Sequence, residues 1–240
     1  MSRRDQGFTV IEVLIVIVII AIIAAIAIPG LISSQRSSYE RNASTSLKTV
    51  MVAEHDFRAN DREGNRVNDF WTGDLKGLYT LTNAAIVGNA GGTVDPPIRL
   101  IELSLALADA DGAVPPAGGE NIPVTSFGVV SAKAGYWYMA MTADNNYGGT
   151  EASYQTDTLG TPNMGSVHHY TRFGFVAIPD TTVFGKFVFI VNEASTLYRS
   201  STTGTCRLGT STPPGVTGIV SGYQNWPDDN SMKSYWSKMD

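Results

Sequence analysis

"GFTVIEVLIVIVIIAIIAAIAIP", residues 7–29, is the stretch on which the reading of this chain turns. From Phe8 to Ile28 only Thr9 and Glu12 are not apolar, and Leu, Ile and Val dominate from Val13 onward. As an α-helix the run covers about 31 Å, close to the hydrocarbon thickness of a bilayer. Arg3 and Arg4 stand ahead of it, the arrangement that keeps a chain's N-terminus on the cytoplasmic side. Two ordinary readings fit so far: a plain signal anchor, or a cleaved secretory signal with Ala25-Ile26-Ala27 as the small-x-small cleavage site. Neither accounts for Glu12. An ionised side chain in such a run costs up to ~2.5–3.5 kcal/mol at mid-membrane and less near the boundary, so its presence argues for a function and for a partner.

The wider stretch "RRDQGFTVIEVLIVIVIIAIIAAIAIPGLISSQ", residues 3–35, closely resembles the N-terminus of type IV prepilins and of the pseudopilins of type II secretion. The resemblance implies that the basic leader is cut after Gly7, that Phe8 becomes the N-methylated first residue, and that Glu12 supports assembly. The proline that follows the apolar stretch in many members falls on Pro29, beside Gly30. A seven-residue leader followed by Phe8 is more similar to the type IVa and pseudopilin branch than to the longer-leader type IVb branch. Partners implied by the resemblance are a prepilin peptidase, an inner-membrane assembly platform, minor pilins, and other copies of the chain in a helical filament.

Beyond the apolar run, Pro29-Gly30 interrupts helical patterning, because proline removes a backbone donor and clashes with the preceding turn. Ile32, Tyr39, Ala43, Leu47, Val50 and Phe57 then recur at helical spacing, with Arg36, Glu40, Arg41 and Lys48 mostly elsewhere. The spacing predicts one helix from Phe8 to about Asn60, kinked or locally unwound near Pro29 and stopped by "NDREGN". "FWTGDLKGLY" (70–79) reads as a turn-rich connection whose aromatic residues pack on that helix. "DPPIRLIELSLALADAD" (95–111) reads as a second helix, with Asp95 as cap, proline at the first position, and Ile98, Ile101, Leu105 and Ala108 on one face. Gly112 to Asn121 is a Pro/Gly-rich loop.

The remainder reads as strands. "AGYWYMAMTA" and "HHYTRFGFVAIP" are short runs of β-favouring residues, and "GKFVFIVNEASTLYRS" is a hairpin turning at Asn192 to Ser195. Together they predict an antiparallel sheet of three to five strands against the helix, one face buried and one wet. A polar, low-complexity loop covers about 200–218, and Trp226 and Trp236 fasten the C-terminal tail to the sheet. The expected organisation is a leader (1–7), a transmembrane and filament-core helix (8–30), an amphipathic continuation (31–60), and an α+β head (61–240).

Chemistry-bearing residues are few. His168 and His169 are adjacent on a predicted strand and so point to opposite faces; with His55 the only other histidine, they lack the ligands of a zinc site. Cys206 is the single cysteine, which excludes an intrachain disulfide and leaves the C-terminal disulfide loop of many adhesive pilins absent. "DADG" (109–112) has Glu120 at the twelfth position of a calcium loop, but Ala113 and Val114 stand where an oxygen ligand and the glycine belong. "WPDDN" (226–230) is a better carboxylate cluster, yet it does not match residue by residue the C-terminal calcium loop of major pseudopilins. "GNAGGT" (88–93) lacks the lysine of a phosphate-binding loop. The aromatics of "YWYMAM" read as core, not as a sugar platform. A net charge of −5 gives no footprint for nucleic acid.

No catalytic residue, metal ligand or cofactor-binding residue is therefore expected, calcium being the one ion with any carboxylate cluster to meet it. The chain is read as a non-enzymatic subunit of a type IV pilus-like filament, stored in a bacterial inner membrane with the head in the periplasm. A type II secretion pseudopilin is the alternative within the class, although the head is larger than that of a typical major pseudopilin. From another class, the alternative is a signal-anchored periplasmic ligand-binding protein.

Overall fold

The computed structural model describes residues 8–62, 67–81, 96–110, 124–147, 150–154, 167–181, 183–202 and 225–239. Its spine is helix α1, Val10–Asn60, 51 residues and about 77 Å long. The helix runs through Pro29 and Gly30 without local unwinding. It stops where Asp61 takes a left-handed conformation (φ 43) and its amide, with that of Arg62, bonds back to the Phe57 carbonyl.

Among the described residues, only the second half of α1 buries side chains against the rest of the chain. Ala43, Ser46, Leu47, Val50, Ala53, Glu54 and Phe57 are buried at the i, i+3, i+4 spacing of one helical face. Ile32, expected on that face, is exposed, as is every residue from Phe8 to Gln35 except Ala24. The sheet behind has five antiparallel strands, in the order β10–β8–β7–β6–β2: Ser237–Met239, Leu197–Ser201, Phe187–Asn192, Gly174–Pro179 and Tyr136–Ala140. The turn at Asn192 to Ser195 is where the sequence places it, closed by the Ser195 amide on the Asn192 carbonyl.

Strand alternation divides the core in two. Tyr136, Tyr138, Ala140, Phe175, Ala177, Phe189, Val191 and Leu197 join Leu47, Val50 and Phe57 between sheet and helix. Their neighbours Met139, Val176, Ile178, Val188 and Ile190 form a second cluster with Met141, Tyr154, Trp226 and Trp236. The expectation of one wet face is therefore corrected: both faces of the central strands are covered, and every residue of β6 is buried. The tail does this covering, with Trp226 edge-on to Tyr198 at 6.0 Å, and then supplies β10 as an edge strand.

Smaller elements surround this layer pair. Phe70–Trp71 is a strand (β1) paired with β5 (His168–His169), not only a turn, and Trp71 packs against Phe57 of α1 at 6.4 Å. Helix α2 (Gly77–Thr80) follows. A further three-stranded sheet holds β3 (Ala143–Tyr147) between β4 (Thr150–Ser153) and β9 (Asn225–Trp226), the last pairing parallel.

The second long helix is also corrected. Only Leu103–Ala106 is helical (α3), and residues 96–100 run as irregular chain. Two consecutive prolines supply no amide to a helical ladder. The amides of Ile98 and Leu100 instead donate to the Leu81 and Leu78 carbonyls, and Arg99 between them adopts φ 51. Local helical pattern loses here to pairing with the α2 segment. Asp95, the expected cap, lies outside the described residues, as do Gly112 to Asn121 and 203–218.

Candidate functional site

Among the described residues, the N-terminal half of α1 is the long apolar surface that the fold does not cover. From Phe8 to Gln35 every residue except half-buried Ala24 is exposed, including the whole apolar series from Val10 to Ile32. Soluble monomers rarely carry contiguous apolar patches beyond a few hundred Å². Among the described residues, α1 is the one helix long and apolar enough to cross a membrane. Something other than this head, whether lipid or another chain, has to cover it.

The start of that helix is built by two polar side chains. Thr9 is the N-cap, in extended conformation, and its Oγ1 accepts from the Glu12 amide at 3.3 Å. Glu12 Oε2 accepts from the Thr9 amide at 2.8 Å and from the Thr9 hydroxyl at 2.7 Å. This is a capping box: each residue satisfies a backbone donor that an α-helix terminus leaves without a partner. It also sets a carboxylate in the first turn, at the positive end of the helix dipole. Phe8 sits just outside the cap, 88% exposed.

Thus Phe8, Thr9 and Glu12 form one cluster at the helix tip. Pro29 and Gly30 lie about 26 Å further along the axis from Glu12 and have no contact with it. Among the described residues, nothing beyond the helix's own backbone lies within 4 Å of a Cβ built at Gly30. Gly7 lies outside the described residues. Thr9 is the capping residue that sequence reasoning missed, although T-x-x-E ahead of an apolar run is the signature of a capping box.

The other candidates serve the fold. His168 is buried edge-on to Trp71 at 5.2 Å, while His169, on the opposite face of β5, accepts the Thr171 and Arg172 amides on Nδ1. Burial, and then the Arg172 charge, hold the His169 imidazole below its usual range. His55 lies on α1, edge-on to Phe70 and Phe173, with Nε2 3.3 Å from the Ser195 hydroxyl. Asp228 is the N-cap of a short helix (α4, Asp229–Tyr235), accepting the Ser231 amide at 2.7 Å, and that bond holds its carboxyl below the usual range. Cys206, Glu120 and residues 88–93 lie outside the described residues. Among the described residues no three His, Cys, Asp or Glu converge as metal ligands would.

Asp109, the first residue of "DADG", belongs instead to a buried ionic cluster that the sequence did not reveal. Its Oδ2 accepts the Lys76 amide at 2.8 Å and lies 3.8 Å from Lys76 Nζ, which is itself 3.0 Å from Asp74 Oδ2. Asp74 Oδ1 accepts from the Gly77 amide at 2.7 Å and from Trp71 Nε1 at 3.2 Å. From α1, Glu54 Oε2 accepts the Trp71 amide at 3.1 Å. Glu54 lies at helical spacing among Val50, Ala53 and Phe57, which is the pattern that could have exposed it as a buried acid.

Comparison with known proteins addresses one end of the chain. Residues 2–28 match the family model described as the prokaryotic N-terminal methylation motif, the prepilin-type signal of type IV pilins and pseudopilins. No curated protein and no solved structure matches the chain.

Proposed function

We propose that this chain, with a prokaryotic N-terminal methylation motif on a long helix ahead of an α+β head, is a structural subunit of a type IV pilus-like filament. It waits in the inner membrane with its N-terminus cytoplasmic and its head periplasmic. A prepilin peptidase cuts after Gly7 and Phe8 is N-methylated. The subunit then enters the filament through its N-terminal helix, with no catalysis and no cofactor of its own. The observation that carries this reading is the uncovered apolar half of α1: the same surface suits lipid in storage and neighbouring helices in a filament. A type II secretion pseudopilus uses the same steps, and the genes beside this one, for a secretin or for a retraction motor, separate the two.

Intact-mass and N-terminal peptide analysis of membrane or filament material tests the proposal. The expected product begins at N-methylated Phe8, and Gly7→Val blocks cleavage while leaving the chain membrane-bound. A mature chain beginning at Ile28 would make "AIA" a signal-peptidase site and leave a secreted head with no filament role.

A further inference from the structure

We draw no further inference here: the strongest candidate, the buried side-chain cluster of Lys76 with Asp74 and Asp109 beside Trp71, is accounted for by the ion pairs and hydrogen bonds already described and so belongs to the core of the head, not to a second site.

Discussion

Lys76 and Asp109 meet twice: the lysine amide donates to Asp109 Oδ2 at 2.8 Å, and the ammonium of the same residue lies 3.8 Å from that oxygen. Both side chains are almost wholly buried, and Asp74 flanks the ammonium on the other side. Removing one member of a buried ion pair leaves its partner's charge without compensation, at about 3–5 kcal/mol. Lys76→Ala is expected to lower the stability of the detergent-solubilised chain by that amount, and Asp109→Asn by less, since the amide keeps an acceptor for the Lys76 backbone. Denaturant titration followed by tryptophan emission reads this directly, because Trp71 donates from Nε1 to Asp74. Equal, small losses in both variants would show that the cluster contributes little.

Two glutamates give the head opposite responses to pH. The hydrogen bond from Lys133, above all, holds the Glu102 carboxyl below its ordinary value of 4.5. Its stabilisation is therefore present above the ordinary carboxylate range and is lost as pH falls through the lowered value. Burial pushes Glu193 above the same reference, so its contribution is present in acid and is lost as pH rises through the raised value. Thermal unfolding across acid to neutral pH should show Glu193→Gln more stable than the parent at neutral pH, with the gap closing in acid. Lys133→Met should show the reverse, a deficit at neutral pH that shrinks in acid. A gap that does not change with pH for either variant would break the assignment.

What the residues disclosed and what they hid divide along physical lines. The apolar run, the buried stripe from Ala43 to Phe57 and the strands around Tyr138, Val176 and Ile190 depend on local periodicity, which a sequence displays. The failed helix at residues 95–111 depends on a competing pairing with Leu78 and Leu81, about 20 residues distant, which periodicity does not carry. The second covered face of the sheet depends on where the tail folds back, and Trp226 and Trp236 hinted at this without fixing it. At the helix tip the reverse happened. Glu12 is an anomaly as a charge in lipid, while its three-residue spacing from Thr9 states its local role.

The helix is expected to change between storage and filament. In the isolated chain α1 is continuous through Pro29, where one amide is missing from the ladder and both Pro29 and Gly30 are exposed. Extraction from lipid changes what surrounds this stretch, and unwinding is least costly where a hydrogen bond is already absent. A filament map should show extended or non-helical backbone within Ala24 to Gly30, with helix resuming before Arg36, whose Nε donates to the Val183 carbonyl. A straight, unbroken helix through Pro29 in the filament would refute this.

Glu12 invites two accounts that a single substitution can separate. In the first, the carboxylate is a cap: it satisfies the Thr9 amide, starts the helix at Val10, and needs no charge to do so. In the second, it is also a counter-charge. Packed helices in a filament core exclude water, so a carboxylate there has to be paired or protonated, and the methylated amine of Phe8, from its own or a neighbouring chain, is a cation at the same depth. A pairing between chains would set the axial register of each incoming subunit, which is a use of buried charge for specificity. It would also make cleavage a precondition for assembly, because no amine exists at that level while the leader is attached. Glu12→Gln keeps the capping geometry and removes the charge, whereas Thr9→Ala weakens the cap and keeps the charge. Both variants, and Glu12→Val, should insert and be cleaved after Gly7. In cells making no other copy of the subunit, Thr9→Ala is expected to yield filaments in reduced amount, and Glu12→Gln and Glu12→Val few or none. Normal filament yield from Glu12→Gln would reduce Glu12 to a cap and remove its charge from the mechanism.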